Sequence, residues 1–192
     1  DLTVMSHAHW DHSQNYDLFR HAPMLVHKSE RIYAHHPHKN DWATPAWTGV
    51  MIDHHPDIQE VEEGYEIEPG VQLIHTPGHS PGSMSVMVET DSGLAAVSGD
   101  VLHYSSVALT RKNPLVFWNE IQATQSIDRI VETADVIYPG HDRPFRVEGD
   151  EINYLEGPEN IHIMDSTEGG GTASLTFTVS ATRTVNVDIV QK

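Results

Sequence analysis

The run Ser6-His7-Ala8-His9-Trp10-Asp11-His12 constrains this chain more than any other feature. It follows directly on the apolar residues 2–5, which read as a buried strand, and sets three imidazoles and one carboxylate within six residues. Imidazole nitrogens and carboxylate oxygens suit zinc and similar divalent ions. A loop leaving a strand end can point His7 and His9 to one side while Asp11 and His12 face a second centre. A solvated histidine-rich loop is the alternative, but such loops seldom interleave a carboxylate in fixed order behind an apolar strand. A fold that uses this run has to bring further ligands to the same place.

Three more positions offer them. His79 stands in Thr76-Pro77-Gly78-His79-Ser80-Pro81-Gly82 beyond the strand-like Val71–His75, and Asp100 stands in Ser98-Gly99-Asp100 beyond residues 94–97. His141 stands in Pro139-Gly140-His141-Asp142 beyond residues 135–138. A glycine immediately precedes each, which allows close backbone approach or positive φ. Any one of the three reads as an ordinary loop residue by itself; with the first run they form a specific pattern.

Composition narrows the chemistry. The 192 residues contain no cysteine, which excludes disulfides and thiolate metal sites, and 15 histidines, an excess for this length. The formal charge of −17 argues against nucleic acid or an anionic membrane surface as partner. No run of about 18 apolar residues is present, so no transmembrane helix is expected. No signal peptide is visible, and a cytoplasmic location is expected.

The rest reads as a layered α/β chain. Met24–His27 reads as a strand, with Ser29 as N-cap of a short helix through Tyr33. Residues 35–60, rich in His, Pro, Asp and Trp, read as a long loop or lid. Met84, Val86 and Val88 alternate with polar neighbours, and Asp91-Ser92-Gly93 turns that strand into residues 94–97 as a hairpin. Asn119 and Gln122 suggest a capping box ahead of Ala123, Ile127, Ile130, Val131 and Ala134 at helical spacing. Beyond residue 150, residues 161–163, a Gly169-Gly170-Gly171 break, and alternating residues 174–179 and 184–190 suggest a terminal hairpin. We expect a catalytic domain over residues 1–157 and a β-rich extension over 158–192.

The run from His7 to His12, with His79, Asp100 and His141, resembles the metallo-β-lactamase superfamily over residues 1 to about 148. The resemblance implies an αββα sandwich with a dinuclear site at one edge. It implies His7, His9 and His79 on a first metal, Asp11, His12 and His141 on a second, and Asp100 bridging them. The family has several strands ahead of this motif where the chain has one, so the domain is expected to lack its N-terminal strands. The segment from Ile67 to Gly82, continuing to Val88-Glu89-Thr90, looks most like the acyl-homoserine lactonase branch. In those lactonases a tyrosine shortly after the bridging aspartate helps at the substrate carbonyl. Here His103 occupies that place and Tyr104 follows it, and both stay candidates.

The resemblance implies hydrolysis of an ester-like bond, foremost a lactone such as an acyl-homoserine lactone, by a metal-bridging hydroxide, with Asp11 as ligand and proton acceptor. Two divalent ions are expected, zinc first, with iron, manganese or cobalt compatible with the all-N/O ligands. The substrate is expected to be small, neutral and partly apolar, and a homodimer is a further expectation. A glyoxalase II-like thioesterase, a phosphodiesterase or a β-lactamase-type hydrolase is the alternative within the superfamily, and a metal-binding protein the non-enzymatic one. The loop from Asp41 to Met51, with Trp42 and Trp47, is either a wall for an acyl chain or ordinary packing. His35, His36, His38, His54 and His55 exceed the ligand inventory and read as solvated.

Overall fold

Thr3–Met5 (β1) leads into a short helix, Trp10–Ser13 (α1). Met24–His27 (β2) then enters the helix Lys28–His35 (α2), and Thr48–Asp53 (α3) precedes Ile58–Val61 (β3). The three strands pair in parallel in the order β1-β2-β3. A second sheet of seven strands is built from Glu66–Glu68 (β4), Val71–His75 (β5), Met84–Thr90 (β6), Gly93–Gly99 (β7), Val136–Pro139 (β8), Phe145–Glu148 (β9) and Glu151–Tyr154 (β10). Its strands lie in sequence order, all antiparallel except β7 and β8, whose parallel pairing needs the crossover through Ser105–Thr110 (α4) and Glu120–Thr133 (α5). The computed structural model describes residues 1–157 in full and, beyond them, the backbones of Asn160–Ser166 (β11), Thr172–Val179 (β12) and Val185–Gln191 (β13). Asp1–Leu155 and Glu156–Lys192 form separate units, the second an antiparallel sheet in the order β11-β12-β13.

Side-chain alternation sorts the first unit into layers. Leu25 and Val61 of the small sheet meet Leu73 and Met84 of the large one, so this cluster fills the space between the sheets. Met24 and Val26, on the other face of β2, pack with Ala34 of α2 and Ile52 of α3. On the outer face of the large sheet, Met87, Ala96, Ile137 and Phe145 meet Val107 and Ala108 of α4 and Ile127 and Ile130 of α5. The order is helix, sheet, sheet, helix, the αββα sandwich implied by the resemblance. Burying each such Ile or Leu is worth about 1.5–3 kcal/mol, and three separate clusters hold the sheets and helices in register.

Several local expectations need correction. Residues 35–60 are not one long loop: α3 and β3 form there, because Ile52 and Ile58 find apolar partners that short-range periodicity does not reveal. The N-cap of α2 is His27, not Ser29; its Nδ1 accepts the Ser29 N–H at 3.1 Å, and the helix runs on to His35. Only half of the capping box on α5 forms. Asn119 Oδ1 accepts the Gln122 N–H at 3.0 Å, whereas Gln122 Oε1 is buried without a partner. Residues 161–163 fall inside β11, and the terminal hairpin is β12–β13. The Gly169-Gly170-Gly171 break and Thr184 lie outside the described residues.

His27 also couples stability to pH. Its buried ring stacks on His75 at 3.9 Å between centroids, and burial, followed by the His75 charge, pushes its pKa down to about 4. The folded state therefore binds fewer protons here than the unfolded chain, whose histidine titrates near 6.5. The stability contribution is present above that value and is lost as pH falls towards 4, at most about 3 kcal/mol. We expect His27→Asn, which keeps a cap acceptor but cannot titrate, to flatten the decline of the urea midpoint between about pH 6.5 and 5. A slope identical to that of the unsubstituted protein would remove His27 from the effect.

Candidate metal centre

Each ligand-type residue singled out in the sequence lies just past a strand end, and the packing of the two sheets brings those ends together. His7 and His9 leave β1, Asp11 and His12 lie on α1, His79 lies in the β5–β6 connection, and Asp100 and His141 follow β7 and β8. They form two groups, each with its ligand atoms within 4.8 Å of one another: His7, His9, His79 and Asp100, and Asp11, His12, Asp100 and His141. All four members of the first group are buried, whereas Asp11 and His141 of the second are exposed.

In the first group, His79 Nε2 lies 3.2 Å from His7 Nε2 and 2.9 Å from His9 Nδ1. His79 Nδ1 meets the Leu115 carbonyl at 2.7 Å and must donate there, so its Nε2 lone pair faces the other two rings. Burial, followed by the charge of His9, pushes the His79 pKa down to about 3, and burial with the neighbouring imidazoles holds His7 well below the usual range. Neutral His7 and His79 rings facing each other through their lone pairs repel. Separations near 3.3 Å are what ligands on a tetrahedral ion with ~2.0–2.1 Å bonds adopt.

Asp100 belongs to both groups. Its Oδ2 lies 3.7 Å from His7 Nε2 and 3.6 Å from His79 Nε2, and its Oδ1 lies 3.2 Å from His12 Nε2 and 3.3 Å from His141 Nε2. Oδ1 is buried and accepts no hydrogen bond, an orphaned carboxylate oxygen of the kind a cation satisfies. Burial raises the Asp100 pKa, but His12, His103 and His79 outweigh it and hold the carboxyl well below the usual range. Asp11 Oδ2 completes the second group, 3.4 Å from His12 Nε2 and 3.3 Å from His141 Nε2. The donor set fits two divalent cations sharing one carboxylate.

The glycine rule has a steric basis here. A Cβ on Gly140 would meet Asp100 Oδ1 at 2.1 Å, and Gly78, at φ 135°, would drive one into the Ala123 backbone at 2.2 Å. Outer contacts orient the rings. His9 Nε2 lies 3.4 Å from the buried Asp41 carboxylate, which accepts from Tyr33, Thr44 and the Ala43 and Thr44 amides. Asn113 donates to the Asp100 and Val101 carbonyls and accepts from Leu115 N–H, joining the shared Asp100 to the carbonyl that holds His79. A carboxylate or carbonyl behind a metal-ligating imidazole fixes its tautomer and direction. Sequence reading missed Asp41 and Asn113, because each acts through a loop distant in sequence. It also missed Glu30, for which a signal exists: a carboxylate on the face of α2 that buries Tyr33 and Ala34.

Both candidates after Asp100 line a cavity of about 150 Å³ above the groups, with Trp10, Trp42 and Phe117. His103 is buried and committed to Asp100, with Nε2 3.1 Å from Oδ2 and Nδ1 3.2 Å from the backbone oxygen. Trp42 is among the lining residues and Trp47 is not, both being largely exposed, so of the two tryptophans in the loop left open between wall and packing only Trp42 reaches the cavity. His35, His36, His38, His54 and His55 join neither group. His35 pairs with Asp53 at 2.9 Å, and His55 is not solvated but buried, its Nδ1 accepting from Asp57 N–H. A larger cavity of about 440 Å³, lined in part by Gln72, Met87 and Arg129, contains no histidine. Among the described residues no helix is long and apolar enough to cross a membrane.

Comparison with known proteins agrees with this geometry. The chain is 32% identical over 148 residues to the N-acyl homoserine lactonase AiiA of Bacillus thuringiensis subsp. kurstaki, covering 72% of this chain and 54% of that protein. It is 30% identical over 157 residues to metallo-beta-lactamase domain-containing protein 1 of Mus musculus, covering 81% and 53%. It thus spans about half the length of these curated relatives. Among solved structures, an N-acyl homoserine lactone hydrolase with the product N-hexanoyl-L-homoserine bound at its catalytic metal centre superposes with a TM-score of 0.60 at 29% identity, over 72% of this chain and 54% of that one. The profile of the metallo-beta-lactamase superfamily matches residues 1–141, and with the αββα layers and the two ligand groups at one edge, the chain belongs to that superfamily.

Proposed function

We propose that this chain carries the dinuclear centre of a metal-dependent hydrolase that opens lactone rings, N-acyl homoserine lactones foremost. The observation that carries the reading is the division of Asp100, one oxygen to each group of imidazoles. His7, His9 and His79 would hold the first ion, Asp11, His12 and His141 the second, and Asp100 both. Two divalent cations so held, zinc being the ion that best suits this ligand set, supply Lewis acidity towards a carbonyl and make a water acidic enough to ionise near neutral pH. The identity to lactonases supports the substrate class, and the charge of −17 favours a neutral substrate over a phosphodiester.

The chain's own groups handle the proton. Asp11 is exposed at the open side of the second group, where its carboxylate can take the proton from attacking water and return it to the ring oxygen as the carbonyl C–O bond breaks. Tyr104 lines the cavity and would serve as hydrogen-bond donor to the substrate oxygen, because His103 is buried against Asp100, its Nε2 3.1 Å from Oδ2 and its Nδ1 3.2 Å from the backbone oxygen. His103 then supports the bridge rather than the substrate. Trp42 and Phe117, 5.7 Å apart between ring centroids, give the cavity an apolar side for an acyl chain.

The test is a panel of a lactone, a thioester and a phosphodiester on one metal-loaded preparation. We expect lactone turnover to exceed the others by at least ~10-fold, about 1.4 kcal/mol in transition-state binding. Trp42→Ala should raise KM about 5–10-fold for a long-chain lactone and less than ~2-fold for a short one, as loss of one or two methylene contacts predicts. Trp47→Ala should change neither. A preferred thioester or phosphodiester would replace the substrate assignment, and equal effects across chain lengths would return Trp42 to packing.

A further inference from the structure

Among the described residues the most buried carboxylate outside the two ligand groups is Glu30 of α2, with no exposed surface. Its Oε1 accepts the Ala8 N–H at 2.8 Å, and its Oε2 accepts the Ser80 hydroxyl at 2.7 Å and the Gly82 N–H at 2.8 Å. Ala8 lies between His7 and His9, and Ser80 follows His79. One side chain thus holds both loops that carry the histidines of the first group, loops about seventy residues apart in sequence. Gly82 makes the approach possible, since a Cβ there would meet the Glu30 backbone nitrogen at 2.2 Å. None of the three donors carries charge, and the neighbouring His9 imidazole acts on the carboxylate only through space. Burying a carboxylate is costly, which points to a role beyond packing.

We propose that Glu30 is a positioning residue that clamps the His7–His9 loop to the His79 loop and sets metal affinity at the first position. The inference rests on the dinuclear reading above but not on the substrate. Two amide N–H groups can only donate, and they face opposite oxygens of Glu30. In Glu30→Gln one of those oxygens becomes an NH₂. Whichever way the amide is turned, the NH₂ confronts an N–H donor and one loop is released. The second group reaches its positions through α1 and the His141 loop, where the amide of His141 donates to the His103 carbonyl at 2.9 Å, and the three hydrogen bonds of Glu30 go to neither.

The test isolates the positions. In a His141→Ala background only the first group is complete, and in a His79→Ala background only the second. Zn²⁺ affinity is measured against a chromogenic chelator in each background, with and without Glu30→Gln. Glu30→Gln should weaken binding ~10–100-fold in the first background and less than about threefold in the second. Equal weakening in both would mark general destabilisation and overturn the proposal, as would no weakening in the first. If Glu30→Gln does not fold, Ser80→Ala, which removes one of the three bonds, is read in the same backgrounds, with a several-fold loss confined to the first position expected and any other pattern counting against the clamp. Absence of Zn²⁺ binding by the unsubstituted chain would overturn the dinuclear reading and this inference together, whereas intact binding that is indifferent to Glu30 would overturn this inference alone.

Discussion

Asp100→Ala is expected to lower metal content at both positions, from about two ions per chain to well below one, and to reduce kcat by at least ~10³-fold. The reason is geometric. Each Asp100 oxygen faces a different pair of imidazoles, so its loss removes a ligand and a negative charge from both groups at once. Elemental analysis of the purified, folded variant is the direct check. Full metal content would exclude Asp100 from the site, and loss of one ion alone would make it a terminal ligand rather than a bridge.

Asp11→Asn should separate metal binding from proton handling. The amide keeps the shape of the side chain but removes its charge, so the second ion should bind more weakly. With metal in excess to restore occupancy, the proton acceptor is still missing, and kcat should stay low by at least ~10². His12→Ala is the comparison, because His12 would act as a ligand alone, through the Nε2 that lies 3.2 Å from Asp100 Oδ1. Excess metal should restore that variant more fully. The measurement is kcat against metal bound per chain for both proteins. Recovery of full kcat by reloaded Asp11→Asn would leave Asp11 as a ligand alone and remove the base from the proposed reaction.

Local chemistry was legible in the order of residues. A residue that must project from a strand end has to sit just behind an apolar run, and a backbone that must pass another closely has to be glycine. His79 behind Gly78 and His141 behind Gly140 therefore announced themselves, and the long helix Glu120–Thr133 did so through period and cap. Elements stabilised from far away did not. The helix Thr48–Asp53 and strand Ile58–Val61 exist because Ile52 and Ile58 complete a cluster with Met5 and Met24. The hairpin of Phe145–Glu148 and Tyr154 depends on packing against the distant helix residues Val107 and Ile127. The supporting groups were equally hidden, since nothing around Glu30, Asp41 or Asn113 in sequence names the loop each one holds. The sequence by itself determined which ligand types the chain owns and that each follows a strand. Which residues gather into each group, that Asp100 faces both, and that His103 lies against Asp100 while Trp47 stays outside the cavity were decided only by the tertiary structure. Ligand type is a property of one residue, whereas a coordination group needs loops seventy residues apart placed within a few ångströms, and only the packing of helices and sheets around three apolar clusters supplies that placement.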